Sequence, residues 1–379
     1  MQQKSNFPNS LQAALDKRKQ ESLLRKLHPE NNLIDFCSND YLGFSRSQEL
    51  HSLIQSKLPI YGNANGATGS RLISGNTNAI ENLENKIAQF HNAEAGLIFN
   101  SGYDANLGLL SSIGKKEDVF LYDDLVHASL HDGMRLSLSK HYKFKHNDVN
   151  DLERLLIAQQ TNEGNCYVLL ESVYSMDGDL APLKEIVALK EKYNFYLLVD
   201  EAHATGVFGK QGSGLCNELN IEDKCFARMH TFGKALGVHG AIVLGSVQLR
   251  NYLINFSRSF IYTTALAPHA YAAIDAAYEY LKNTNQIEVL KARIEQFTAL
   301  AKSDTRFVST PSAIQCFMVN GNEAATKVSE HLKTKGMDVR AIKSPTVKSG
   351  TERLRICLHS FNSEEQITDL VETLLQLRS

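Results

Sequence analysis

Between residues 95 and 246 the chain alternates short strand-like runs with helix-like stretches, and this alternation restricts the fold more than any other feature. The runs are AGLIF (95–99), VFLYD (119–123), YKFKH (142–146), CYVLLES (166–172), FYLLVDEA (195–202), CFARMHT (225–231) and AIVLGS (241–246). Most are apolar throughout, so both faces of their sheet must be covered, and strands joined through helices pair in parallel. The expected architecture is α/β, a large domain whose mainly parallel sheet is covered by helices. Polar residues gather at the C-terminal ends of these runs, where open α/β sheets bind ligands.

After Pro268 the pattern changes. Two long helical stretches (APHAYAAIDAAYEYLKN and IEVLKARIEQFTALAK) precede a strand AIQCFMVN, a helix, strands at MDVRAI and RLRICL, and a closing helix SEEQITDLVETLLQL. This reads as a smaller α+β domain. Near the start, LQAALDKRKQESLLRKL is a charged helix with a thin apolar stripe, suited to lying on a surface. With 379 residues to divide, the expected parts are 1–45 (helical and extended segment), 46–268 (large domain) and 269–379 (small domain).

Charge narrows the partners. Forty Lys and Arg against 42 Asp and Glu give no field to attract nucleic acid or an anionic membrane, so a small-molecule substrate is expected. The six cysteines form no CxxC pair and several lie in apolar runs, which suits buried thiols in a reducing compartment. No apolar run reaches the roughly 20 residues of a membrane span, and MQQKSNFPNSLQAALDKRKQ lacks a signal core, making the cytoplasm the expected location.

Asp200 ends the apolar run of VDEAHATG, where a carboxylate is costly unless a cation or donors meet it. It either caps a helix or holds the protonated ring nitrogen of a cofactor; a helicase reading of DEAH fails without a GxxxxGK[ST] loop. Lys234 in HTFGKALG is either a surface lysine at a turn or a desolvated amine able to form a Schiff base with an aldehyde. Together they are the pair that pyridoxal phosphate (PLP) requires. NSGYDAN places the N–H groups of Gly102 and Tyr103 at a helix N-terminus, suited to a phosphate, and Thr231 could add a hydroxyl. His127 in DDLVHASL could stack on a flat ring or be merely solvated, and Ser175 sits beside a tight turn within reach of a ring oxygen.

Nine blocks in family order, FCSNDYLGF, GATGSRLISGN, FNSGYDAN, DDLVHASLHDG, VYSMDGDLAPL, VDEAHATGVFG, HTFGKALGVHGA, FIYTTALAP and TERLRICLHS, resemble the α-oxoamine synthases, a group of aspartate aminotransferase-like, fold-type I PLP enzymes. The resemblance implies an acyltransferase in which Lys234 binds the cofactor and acts as base, with His127, Asp200 and His203 also catalytic. His127 would stack on the ring, Asp200 pair with its nitrogen, Ser175 and His203 meet its phenolic oxygen, and Gly102, Tyr103 and Thr231 hold its phosphate. Arg355 would take the amino-acid carboxylate, with His127, Arg25 and Thr346 as further substrate contacts; no metal is implied. A homodimer is implied too, with Thr263 and Thr264 of the YTT run reaching the neighbour's phosphate. Within the family, RLISGN, SMDGDLAPL and FIYTTALAP look most like members that condense L-alanine with a pimeloyl thioester, of coenzyme A or of acyl carrier protein. Glycine acetyl transfer, serine palmitoyl transfer and 5-aminolevulinate synthesis are the alternatives, as is a non-catalytic chain that keeps the fold.

Overall fold

The computed structural model describes residues 7–21, 23–27, 29 and 32–377 and separates into two units, one up to Leu33 and one from Ile34 onward. In the first unit, α1 (Asn9–Gln20) carries Lys17, Arg18 and Lys19 in its last turn, where cations complement the carbonyl end. The helix expected to run to Leu27 stops at Gln20. Among the described residues none of this helix is buried, Leu11 and Leu15 staying 52% and 44% exposed, and packing is what sustains a helix beyond its intrinsic propensity.

The second unit contains strands β1 (Ile34–Asp35), β2 (Ala95–Phe99), β3 (Val119–Asp123), β4 (Lys140–Phe144), β5 (Cys166–Glu171), β6 (Tyr196–Asp200), β7 (Cys225–Thr231), β8 (Ala241–Gly245), β9 (Phe307–Val308), β10 (Ile314–Met318), β11 (Met337–Asp338), β12 (Arg340–Ile342) and β13 (Arg353–Cys357). Seven of them form the main sheet in the order β2-β8-β7-β6-β5-β3-β4, with β8 alone running opposite to the other six. Side chains along each strand alternate between two cores. Ile98, Val168, Leu170, Leu197, Val199, Ile242 and Leu244 enter one; Leu97, Phe99, Leu169, Leu198, Ala241 and Val243 enter the other. Both faces are therefore dry, which is why the strands are apolar throughout. One face carries α2 (Gln48–Tyr61) and α3 (Asn78–Phe90); the other carries α4 (Gly102–Ile113) and α5 (Ala128–Leu136).

The strand expected at 142–146 lies instead at 140–144. As an edge strand with four of its five residues exposed, β4 has one hydrogen-bonded neighbour and no buried apolar set to fix its register. Past the main sheet, β12-β13-β10-β9 form a four-stranded antiparallel sheet. The single strand expected over MDVRAI is split at Val339: Met337 and Asp338 pair with Ile34 and Asp35, while residues 340–342 pair with β13.

Two polar anchors hold the elements that frame the sheet's C-terminal edge. Arg71, from the loop GATGSRLISGN, makes a two-pronged pair with Glu84 of α3 at 2.8 and 3.3 Å, and Glu84 also takes the Ile98 N–H (2.9 Å) and Arg250 (3.0 Å). Glu84 is fully buried, so removing it strands two guanidinium groups. Glu84→Ala is expected to cost about 3–5 kcal/mol of unfolding free energy in a urea titration; a loss below about 1 kcal/mol would show the anchor to be unimportant. The second anchor is His146, which donates to Asp123 (2.9 Å) and Asp179 (2.8 Å). Burial opposes its charge, but the two carboxylates outweigh burial and raise its pKa to about 9. Its contribution is full below the unfolded value of about 6.5 and is lost as pH rises through about 9. The wild-type melting temperature should therefore fall across that window, and His146→Gln should flatten the fall.

Candidate active site

The main sheet delivers one chemical group from each of three neighbouring parallel strands: Glu171 ends β5, Asp200 ends β6 and Thr231 ends β7. The helices that follow β2 and β3 begin at the same edge, so Gly102 opens α4 and His127 caps α5. Lys234 follows in the turn after β7. Gly102, Tyr103, His127, Asp200, Thr231 and Lys234 line one cavity of about 160 Å³. A second cavity of about 900 Å³ adjoins it at His127 and is lined by Ser175, Thr346, Lys348 and Arg353.

Asp200 is 5% exposed and its two oxygens accept from the Ala202 N–H (2.9 Å) and from Asn106 of α4 (2.8 Å). The second hydrogen of the Asn106 amide goes to the Ser129 hydroxyl at 3.0 Å. Ser129 in turn faces His127 Nδ1 at 2.8 Å, and its own N–H donates to that nitrogen at 3.2 Å. A nitrogen that accepts a backbone N–H carries no hydrogen, so the His127 proton is on Nε2. Burial, and then Lys234, lower the His127 pKa while Asp200 opposes them.

Lys234 Nζ lies 2.6 Å from His203 Nε2. Burial lowers the amine's pKa to about 8, although Asp200 and then Glu171 pull it up. His203 is pushed well below its ordinary value by burial and by Lys234 and Arg355, so it is neutral. Glu171, 2% exposed, is raised to about 8 by burial and by Asp200, and its Oε1 has no hydrogen-bond partner among the described residues. It faces the same cavity as Lys234.

Arg355, on β13 of the small sheet, is 9% exposed. It donates to the Ser175 carbonyl (2.6 Å), Cys357 Sγ (2.9 Å) and Asn39 Oδ1 (3.0 Å). The Ser175 turn thus connects the main sheet to this guanidinium. At the start of α4 the Ser101 hydroxyl accepts from the Asp104 N–H, leaving the first-turn N–H groups of the cavity-lining Gly102 and Tyr103 for an anion. Thr231 closes the same corner, its hydroxyl donating to the Gly240 carbonyl at 3.3 Å. Asn100 beside them donates to Thr263 Oγ1 (3.0 Å) and to the Thr264 carbonyl (2.9 Å). Arg25 is exposed and lies in the unit that ends at Leu33.

The structure thus brings together the residues singled out from sequence after position 34, with Thr346 in the larger cavity and Thr263 and Thr264 on the adjoining loop. Asn106, Ser129, Glu171, Tyr41 and Asn39 were not singled out. Of these only Glu171 carried a usable signal, since it ends the apolar run of CYVLLES as Asp200 ends that of FYLLVDEA.

A desolvated amine reacts with aldehydes at lower pH than a solvated one. Labelling of Lys234 by pyridoxal, followed by mass spectrometry, should rise with a midpoint near pH 8. Asp200→Asn, which removes a charge that raises this pKa, should move the midpoint lower; a midpoint above pH 10 would contradict the described desolvation.

Residues 31–374 match the family "aminotransferase class I and II". The chain is 43% identical over 393 residues to an 8-amino-7-oxononanoate synthase of Emericella nidulans, covering 97% of this chain and 94% of the relative. It is 37% identical over 386 residues to one of Vibrio atlanticus, covering 98% and 93%. Among solved structures, an 8-amino-7-oxononanoate synthase of Francisella tularensis superposes with a TM-score of 0.77 at 30% identity, covering 91% of this chain and 97% of that one. A serine palmitoyltransferase with PLP superposes with a TM-score of 0.87 at 26% identity, covering 97% and 96%. With a desolvated lysine, a buried aspartate and an anion-ready helix start on one α/β sheet edge, the chain belongs to the class I and II aminotransferase family, in its α-oxoamine synthase branch.

Proposed function

We propose that the protein catalyses the PLP-dependent decarboxylative condensation of L-alanine with a pimeloyl thioester, releasing 8-amino-7-oxononanoate, CO₂ and free thiol, as a step of biotin biosynthesis. The observation that carries this reading is the lowered amine of Lys234 within one connected site with the buried Asp200 carboxylate and the Arg355 guanidinium. The choice of substrates rests on the relatives of that name.

The site fits PLP. Lys234 would hold its aldehyde carbon, Asp200 its ring nitrogen, and the His127 imidazole one ring face. Ser175 and His203 would meet the phenolic oxygen, while Thr231 and the N–H groups of Gly102 and Tyr103 would hold the phosphate. When bound, the cofactor supplies an electron sink for charge developing at the amino-acid Cα. Arg355 grips the alanine carboxylate, a task suited to a planar, permanently charged donor. Lys234, its amine released when the alanine nitrogen takes its place, would remove the Cα proton; the carbon then bonds to the thioester carbonyl, the thiol departs, and the carboxylate leaves as CO₂ before Lys234 returns a proton. Thr346, which lines the larger cavity, is proposed as a contact of the acyl substrate or product, as is Arg25 by resemblance; the acyl carrier is coenzyme A or acyl carrier protein.

The protein is read as a homodimer divided at 46–268 and 269–379 after an N-terminal segment, 1–45. Leu72, Ile73 and Tyr262 support a partner surface: they are 53%, 84% and 73% exposed on two loops joined by the Ala265 N–H to Gly69 O hydrogen bond of 3.0 Å. Thr263 and Thr264, beside this surface, would reach the partner's phosphate. Among the described residues no helix is long and apolar enough to cross a membrane, and the cytoplasm is the proposed location.

Lys234→Ala is expected to lose both the borohydride-trapped cofactor and turnover, by at least about 10³-fold. Normal turnover in that variant would end the mechanism. Substrate choice is read by mass spectrometry from L-alanine with pimeloyl-CoA or pimeloyl-acyl carrier protein, glycine with acetyl-CoA, and serine with palmitoyl-CoA. Product from the first pairs is expected; preference for either of the others reassigns the chain within its family.

A further inference from the structure

A chain of hydrogen bonds runs behind the reactive amine, and which of its atoms carry hydrogens constrains the direction of each bond. Arg355 Nη2 can only donate, so the Asn39 atom 3.0 Å from it is the amide oxygen. The Tyr41 hydroxyl lies 3.0 Å from the same oxygen, which has only lone pairs, so a hydrogen bond between the two spends the hydroxyl's single hydrogen there. Tyr41 is fully buried, and burial pushes its pKa up, so it keeps that hydrogen. His203 Nδ1 lies 2.7 Å from the Tyr41 oxygen. With the tyrosine hydrogen already spent, that contact is a hydrogen bond only if Nδ1 is the donor. The neutral ring then has no hydrogen left for Nε2, the nitrogen 2.6 Å from Lys234 Nζ.

We propose that Tyr41, oriented by Asn39, is a positioning residue that locks His203 in its Nδ1–H tautomer, so that Nε2 presents a lone pair to Lys234. The tautomer decides what the lysine can do. Facing a lone pair, a neutral amine donates one N–H to His203 and keeps its own lone pair free to attack an aldehyde. Facing an Nε2–H, it would have to accept, and the lone pair needed for bond formation would be occupied. Tyr41 touches neither the amine nor the small cavity; it acts through the ring, from a position 162 residues away in the chain.

The proposal rests on Lys234 as the cofactor lysine, and its test separates the two readings. Full-length, cofactor-free protein with ¹⁵N-labelled histidine is examined by two-bond nitrogen–proton NMR, with His203→Gln identifying the ring. Wild type should show His203 protonated on Nδ1 and bare on Nε2. In Asn39→Ala the tyrosine hydrogen is free to turn toward Nδ1, and in Tyr41→Phe Nδ1 loses its acceptor; both should shift the ring toward Nε2–H. Both should also slow capture of added PLP, followed by its visible absorbance, about tenfold, the worth of one hydrogen bond. Asn39→Asp keeps an acceptor for Tyr41 and should retain the wild-type tautomer. A wild-type ring protonated on Nε2, or a tautomer unchanged in either disruptive variant, overturns the proposal, and the wild-type spectrum decides even if a variant fails to fold. Borohydride trapping at a residue other than Lys234 would instead overturn the cofactor reading and leave the tautomer result standing.

Discussion

The carboxylate of Asp200 is the constraint around which the site is arranged. Buried at the end of β6, it must be met by donors, and the fold supplies them from two directions: the Ala202 N–H of the following turn and the Asn106 amide of α4. Because Asn106 has a second hydrogen, meeting Asp200 also positions Ser129, and Ser129 fixes the His127 ring. One buried charge thereby orders a helix, a second helix cap and an imidazole. The same charge acts through space, raising the pKa of Lys234 against burial and adding to the rise at Glu171.

The balance of these fields leaves the two imidazoles uncharged and brings two other groups to titrate not far from neutral pH. His127 and His203 are held neutral, while Glu171 and Lys234 each titrate near 8. Two groups poised near ambient pH in one small cavity suit chemistry in which a proton is taken from carbon and returned to it. Arg355 keeps its charge throughout. Its charge is tied to the Ser175 carbonyl, Cys357 and Asn39, so the permanent cation lies at the edge of the site and not over the amine.

The main sheet was legible because its strands are dry on both faces and therefore apolar without a break; β4, at the wet edge, is where the expected register was off by two residues. In the site, Asp200 and Lys234 stood out because a charge at the end of an apolar strand needs a reason. Arg355 entered through resemblance alone. Asn106 and Ser129 gave no such signal, being small polar residues within or at the start of helices, where such side chains are common. Tyr41 and Asn39 were silent because their meaning depends on distant residues, His203 and Arg355, which adjacency in sequence does not disclose. Glu171 was readable by the argument used for Asp200.

The turn from Tyr174 to Asp179 shows how the proposed substrate contacts depend on packing away from the reacting atoms. His146 holds Asp179 from one side, Arg353 of the small sheet pairs with Asp177 from another, and the Ser175 carbonyl takes Arg355 between them. Gly178 has a φ of +76°, and a Cβ there would press into the Ile314 backbone of the small sheet, so only glycine lets the turn approach this closely. The turn therefore seats the small sheet against the large one and aims the guanidinium proposed to grip the amino-acid carboxylate. It also walls the larger cavity, together with Thr346 and Lys348. On the roles proposed for Arg355 and Thr346, a change in the turn should thus alter carboxylate grip and acyl-chain fit together, whereas a change at Tyr41 acts on the amine.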